Sequence, residues 1–333
     1  MENKTTMRQK LIIGFSLLLL LGVMALIVAD LFKSPARNQD PEVYSIEDLK
    51  KIDTSQICYR EAKQLKTGMS ALQGIALDNN LNVYICGNRE VQVYNQVWEK
   101  TADFRIDSNA YCIAPGSNGE IYLGLGDHIE VFDHTGTRTG KWDSYNEHSF
   151  LTSIVVIGDE VFAADGENKI ILRYDRGGKL LNTIGKKDRE QGIEGFIIPS
   201  MYFDVAAGPD EELWAANTGR HEMLNFSHDG KLISFWGIAS MQLEGFAGCC
   251  NPVHFAVLPD GYFVTYEKGL DRMKIYNQAG KYICAVSGHV KTDEKSLATC
   301  SIGSPVHDLA VDREGKVYVL DGDKMLIRVF IRK

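Results

Sequence analysis

The sequence predicts an all-β protein: a six-bladed β-propeller preceded by one N-terminal transmembrane helix. Three observations carry this. A pattern of short strands recurs about every 47 residues. Apolar residues within each copy alternate with period two between Gly, Asn and Asp. The last copy stops one strand short, and a spare strand-like segment precedes the first.

Residues 1–10 carry Lys4, Arg8 and Lys10, and residues 11–29 (LIIGFSLLLLLGVMALIVA) carry no charge. A helix over that run spans about 28 Å, close to the hydrocarbon thickness of a bilayer. Asp30 ends the run, with only Lys33 and Arg37 following nearby. The charge bias predicts a single pass through the cell membrane, with residues 1–10 cytoplasmic and the body extracytoplasmic. A cleaved signal peptide is the competing reading. Its apolar region is usually shorter, and Ile27 spoils the small-residue cleavage pattern before Asp30. Residues 30–53 read as a tether broken at Ser34-Pro35 and Asp40-Pro41, with Ser45-x-x-Asp48 opening a short helix through about Ile52.

Residues 54–333 hold the repeats. The first strands are GIALD (74–78), CIAPG (112–116), SIVVI (153–157), DVAAG (204–208), HFAVL (254–258) and DLAVD (308–312). The second strands are NVYIC, EIYLG, EVFAA, ELWAA, YFVTY and KVYVL. The third strands end at Tyr94, Phe132, Tyr174, Phe226, Tyr276 and Phe330, four of them leading into a Gly turn (DHTG, DRGG, SHDG, NQAG). Five copies have room for a fourth strand, whereas the chain stops at Lys333 directly after the third strand of the sixth. Residues 55–66 (SQICYREAKQLK) are therefore predicted to complete the last blade. Closure of the ring also removes the exposed edges that open sheets must protect.

With 36 basic and 44 acidic residues the net charge is −8, so non-specific nucleic-acid binding has no electrostatic support. The sequence contains no G-x-S-x-G elbow, Walker A loop, H-E-x-x-H, C-x-x-C-H or dinucleotide fingerprint.

The stretches Pro252–Val264 (PVHFAVLPDGYFV) and Pro305–Val319 (PVHDLAVDREGKVYV) resemble the NHL repeat. Gly185…Gly195-Phe196…Pro199 and Glu244-Gly245-Phe246…Pro252 are similar to its inter-blade linker. The segment running from Gly248-Cys-Cys-Asn-Pro252 to Glu267-Lys-Gly269 resembles bacterial NHL proteins with GCCNP and EKG signatures. The resemblance implies a six-bladed propeller. Members of the group include scaffolds, an amidating lyase and RNA binders, so fold alone leaves function open.

Seven cysteines are present. Cys58, Cys86, Cys112 and Cys284 fall on strands, where a lone cysteine is usually a small buried hydrophobe. Cys249, Cys250 and Cys300 lie in the loops entering blades five and six, beside His254 and His307, each two residues after a Pro. Thiolates with imidazoles suit copper or zinc, which makes this a candidate metal or redox site. A disulfide from Cys300 to Cys249 or Cys250 is the structural alternative, and a third is that the cluster does neither.

The residues opening the inner strands are Gly74, Cys112, Ser153, Asp204, His254 and Asp308. Equivalent positions face a common axis, so Asp204, His254 and Asp308 are expected to converge on a cation or polar ligand, or to line a water-filled channel. The resemblance adds that propeller lactonases and the amidating lyase do their chemistry on an axial metal. The lyase would need more histidines than His254 and His307. Glu267, Lys268 and Arg272 are expected in a loop of blade five, and Asn217, Arg220 and His221 in the matching loop of blade four. Together they form a candidate polar rim for a ligand, or surface ion pairs of little energetic weight.

Three functions follow from this reading. The first is a membrane-tethered propeller that binds a protein partner or small ligand through its entry-loop face. The second is a metal- or thiol-dependent redox or electron-transfer component. The third is a metal-dependent lyase or lactonase-like hydrolase. No cofactor is established by the sequence, and enzyme activity is the less favoured expectation.

Overall fold

The computed structural model describes residues 14–16, 18–24, 49, 52–188, 190, 194–270, 272–287 and 308–333. The chain divides into two compact units, residues 1–45 and 46–333. In the first, residues 14–16 and 18–24 are helical. Among the described residues no helix is long and apolar enough to cross a membrane. The predicted span 11–29 lies partly outside the described residues, and residues 1–10 and most of the tether 30–53 do so as well.

The second unit is a six-bladed β-propeller of four-stranded antiparallel sheets. The inner strands are Gly74–Leu77, Cys112–Pro115, Leu151–Ile157, Val205–Ala207, His254–Val257 and Asp308–Val311. Each of the first five blades then runs outward through three consecutive strands. In the sixth, Leu326–Arg332 pairs with the N-terminal strand Tyr59–Lys66, in a register from Tyr59 opposite Arg332 to Lys66 opposite Leu326. The closing strand starts later than the expected Ser55, because Thr54–Gln56 form a 3₁₀ turn whose entry Asp53 caps by accepting the Ser55 N–H at 2.9 Å.

The alternation in the sequence becomes layered burial. The second and third strands are buried on both faces, as in Val317–Asp321 and Glu90–Tyr94, while outer strands such as Lys100–Arg105 keep one face in water. Buried apolar residues gather in six clusters, one at each blade interface. Between blades five and six, for example, Val264, Met273 and Ile275 meet Leu309, Val317 and Phe330, with Tyr59 of the closing strand.

The turns after the third strands follow one rule. Asp133, Asp175 and Asn277 each accept two backbone N–H groups through Oδ1, two and four residues on. A residue at positive φ closes each turn. Gly280 does so at φ 75, where a Cβ would lie 2.7 Å from Trp236. Blade one has Trp98 in that role at φ 67, held between the rings of Tyr94 and Tyr318.

One cysteine expectation is corrected. Cys58 and Cys284 are a disulfide rather than two buried hydrophobes. The sequence could not pair them because they are 226 residues apart, and only closure of the ring brings them together. The bond fastens the chain entering the closing strand to the outer strand of blade five, beside a Cys58 N–H to Ala285 O bond of 3.0 Å. Cys86 and Cys112 are buried as expected.

Candidate functional site

The inner strands place Asp204, His254 and Asp308 around the axis, with one potential ligand atom from each lying within 4.8 Å of the others. The His254 Nδ1 stands 3.6 Å from Asp204 Oδ2 and 3.5 Å from Asp308 Oδ1. The backbone holds both carboxylates. Asp204 accepts the N–H groups of Val205 and Phe255 at 2.9 and 3.1 Å and the Ser153 hydroxyl. Asp308 accepts those of Ile75 and Leu309 at 2.9 and 2.8 Å. Each carboxylate thus also joins its blade to a neighbour.

Burial and charge shift the titration of this group. Burial pushes Asp308 up to about 6, with the Asp204 charge adding to the effect and the His254 charge opposing it. Burial alone would lower the His254 imidazole, but the close approach of the Asp204 carboxylate and the charge of Asp308 outweigh that and raise it.

A cavity of about 280 Å³ lies against this cluster. Inner-strand residues of all six blades line it, from Asp204, Asp308, Cys112 and Ser153 to Leu77, Val155, Ala207, Val257 and Val311. Among the described residues the entry loops do not contribute to it. On their side Tyr111, Phe150 and Tyr202, just before the inner strands of blades two, three and four, stack with centroids 4.9 and 6.0 Å apart. The expected entry-loop binding face is therefore not where the axial cavity is built. The aromatics ahead of the inner strands of blades two, three and four occupy that side.

The other candidates separate. Cys249 is exposed and Cys250 buried, with sulfurs 3.7 Å apart. His254 belongs to the axial cluster, whose members among the described residues include neither thiol. Cys300 and His307 lie outside the described residues, as does any disulfide from Cys300 to Cys249 or Cys250.

The polar rim is corrected. Glu267 ends the second strand of blade five and Arg272 begins the third, both buried rather than in a surface loop. Glu267 Oε1 accepts the Ala247 N–H at 2.8 Å, and Arg272 donates to both carboxylate oxygens at 2.7 and 3.1 Å. Lys274 completes the set, with its ammonium 3.1 Å from Glu267 and bonded to the Leu243 and Gly245 carbonyls. Burial pushes the Lys274 ammonium down to about 8, against the pull of Glu267. Lys268 is half-buried beside this network, and its N–H donates to Asn251 Oδ1 at 2.8 Å.

In blade four Asn217 is likewise a buried strand end, accepting the Ile197 N–H at 2.9 Å. Asp165 does the same for the Phe150 N–H at 3.1 Å. These side chains secure the linker entering their own blade, which is why the position is polar yet buried. His221 is buried with Nε2 2.8 Å from the Gly248 carbonyl, and Arg220 pairs with Glu222 at 3.0 Å and Glu194 at 3.7 Å. Sequence reasoning missed Lys274, although a lysine two residues before the third-strand aromatic, where blades three and four have Leu172 and Leu224, was a usable signal.

No protein-family model matches the sequence, and no curated protein does. Solved structures share the fold. A streptogramin B lyase aligns with a TM-score of 0.57 at 12% identity, covering 84% of this chain and 100% of the lyase. Virginiamycin B lyase from Staphylococcus aureus gives 0.55 at 13%, covering 83% and 100%. A protein of unknown function from Bacteroides thetaiotaomicron gives 0.57 at 14%, covering 86% of this chain and 74% of that one. These likenesses show the six-bladed propeller and nothing finer.

Proposed function

We propose that the protein is a membrane-tethered, extracytoplasmic propeller of NHL type that works by binding, with its ligand site on the axis. The observation that carries this is the Asp204–His254–Asp308 cluster, with Asp204 and His254 buried and Asp308 half-buried, beside a cavity reached by all six blades. Two carboxylates and one imidazole leave a negative excess even when the imidazole is charged, and a divalent cation would balance it. Carboxylate and imidazole donors without a thiolate fit zinc, or a harder divalent ion, better than cuprous copper. Asp204, His254 and Asp308 would hold the ion, which would then offer a Lewis-acidic contact to a small ligand or a partner's side chain. The Cys58–Cys284 bond supports an oxidising, extracytoplasmic compartment. The uncharged run 11–29 supports the tether.

The test is elemental mass spectrometry on full-length protein purified in detergent without chelators. About one equivalent of zinc is expected, lost in Asp204→Asn and Asp308→Asn. Wild type that takes up no divalent metal when it is supplied would sink the reading.

A second reading, a metal-dependent lyase or lactonase-like hydrolase, draws on the same cluster. An Asp308 carboxyl near 6 could exchange a proton close to neutral pH. Turnover of lactones, abolished in Asp308→Asn, would establish it.

A further inference from the structure

The clefts flanking blade four on its two sides are built alike and filled differently. Between blades four and five the ammonium of Lys274 lies 4.8 Å from the centroid of Phe246 and 5.3 Å from that of Tyr276. Glu267 and the Leu243 and Gly245 carbonyls surround it. Strand register identifies the corresponding residue of blade four. Lys274 lies between Thr265 and Ala285, and Leu224 lies between Ala215 and Phe235 in the same way. Phe196 and Phe226 hold the places of Phe246 and Tyr276. Leucine is shorter and carries no charge, so the cleft between blades three and four keeps a cavity of about 210 Å³ walled by those two rings.

The rim of this cavity is acidic. Among the described lining residues, Glu222 and Glu194 contribute two negative charges against the one positive charge of Arg220. Blade six repeats the cationic solution. Arg328 occupies the corresponding position there, 5.1 Å from the Phe330 ring and bonded to Glu61. Two blades therefore place their own cation over an aromatic ring at this position, and blade four, among the described residues, presents the rings, the acidic rim and the space without one.

We propose that the cleft between blades three and four is a binding pocket for a primary alkylammonium group, either a free amine or a lysine side chain. The methylene stem lies along Leu224 and Phe226, and the ammonium meets Phe196 and the Glu222–Glu194 rim. The pocket is separate from the axial cluster and does not depend on a metal there.

The test is titration calorimetry on the full chain in detergent with butylammonium, with Nα-acetyl-lysine methylamide, and with the Nε-acetylated form of the latter. Binding of butylammonium is expected, and loss of binding on Nε-acetylation. Binding of both amines assigns the pocket to lysine side chains, and binding of butylammonium alone assigns it to free amines. Glu222→Gln should weaken binding roughly tenfold, the effect of one charge at the rim. Leu224→Lys supplies the ammonium from within and should abolish binding. If that variant does not fold, Glu222→Gln decides. Asp204→Asn should leave amine binding unchanged, so failure of the axial site and failure of this pocket can be told apart. The proposal is overturned if the amines do not bind wild type, if the acetylated probe binds equally well, or if Glu222→Gln has no effect.

Discussion

Blade five contributes to two buried charge clusters of opposite character. At its inner edge His254 meets Asp204 and Asp308, two acids to one base, beside open space. Further out Glu267 meets Arg272 and Lys274, one acid to two bases, with the Leu243, Gly245 and Met241 carbonyls taking up the remaining donors. The outer cluster is complete in itself, since every Glu267 oxygen has two partners and the ammonium is surrounded. The inner one carries excess charge and room. Burial of ionised groups is therefore not by itself a mark of function. What distinguishes the two is whether the chain supplies its own counter-charge and fills the volume.

The largest effect that tests this contrast is Glu267→Ala. It leaves a guanidinium and an ammonium buried without their carboxylate and should cost about 3–5 kcal/mol in chemical denaturation. A cost below about 1 kcal/mol would mean that the outer cluster is not the staple described here. Next comes the fastening of the ring: Cys58→Ser/Cys284→Ser should lose about 2–4 kcal/mol, measured in the same way under oxidising conditions.

On the axis the expected sign reverses. Asp308→Asn removes a charge that burial and Asp204 both disfavour, so metal-free protein should be unchanged or more stable at about pH 8, while metal uptake is lost. A destabilisation as large as that of Glu267→Ala would show that the two clusters do the same job.

The smallest effect is the dependence on pH. Both Asp308 and His254 are raised in the folded protein, so it binds protons more tightly than the unfolded chain. Their contribution to stability is full at low pH. It is lost as pH rises through about 6 for Asp308, and above the ordinary histidine value for His254. Metal-free wild type should gain a few degrees in thermal midpoint, relative to Asp308→Asn, on going from about pH 8 to about pH 5. Zinc must displace the same protons, so its affinity should fall over that interval. An identical pH profile in wild type and Asp308→Asn would remove the axial pair as the cause.

How much could be read beforehand depended on whether a residue's partner was set by the repeat. The repeat reports alternation and turn chemistry, both local, so strands, blades and the closing segment were legible. Asp204, His254 and Asp308 were legible as a group because inner strands point equivalent residues at one axis. Glu267, Arg272 and Asn217 were misplaced into loops because a polar side chain at a strand end reads as a turn. Only packing of the preceding linker shows that it is buried and bonded to Ala247 or Ile197.

The sequence by itself determined the propeller, its blade count and closure, because period-two patterning and glycine turns act within a few residues. It also determined which side chains could reach the axis. Tertiary structure alone decided the Cys58–Cys284 bond, the filling of one cleft by Lys274 and the cavity left beside Leu224. Those outcomes depend on side-chain volumes and charges meeting across blade interfaces, between residues that no local pattern connects.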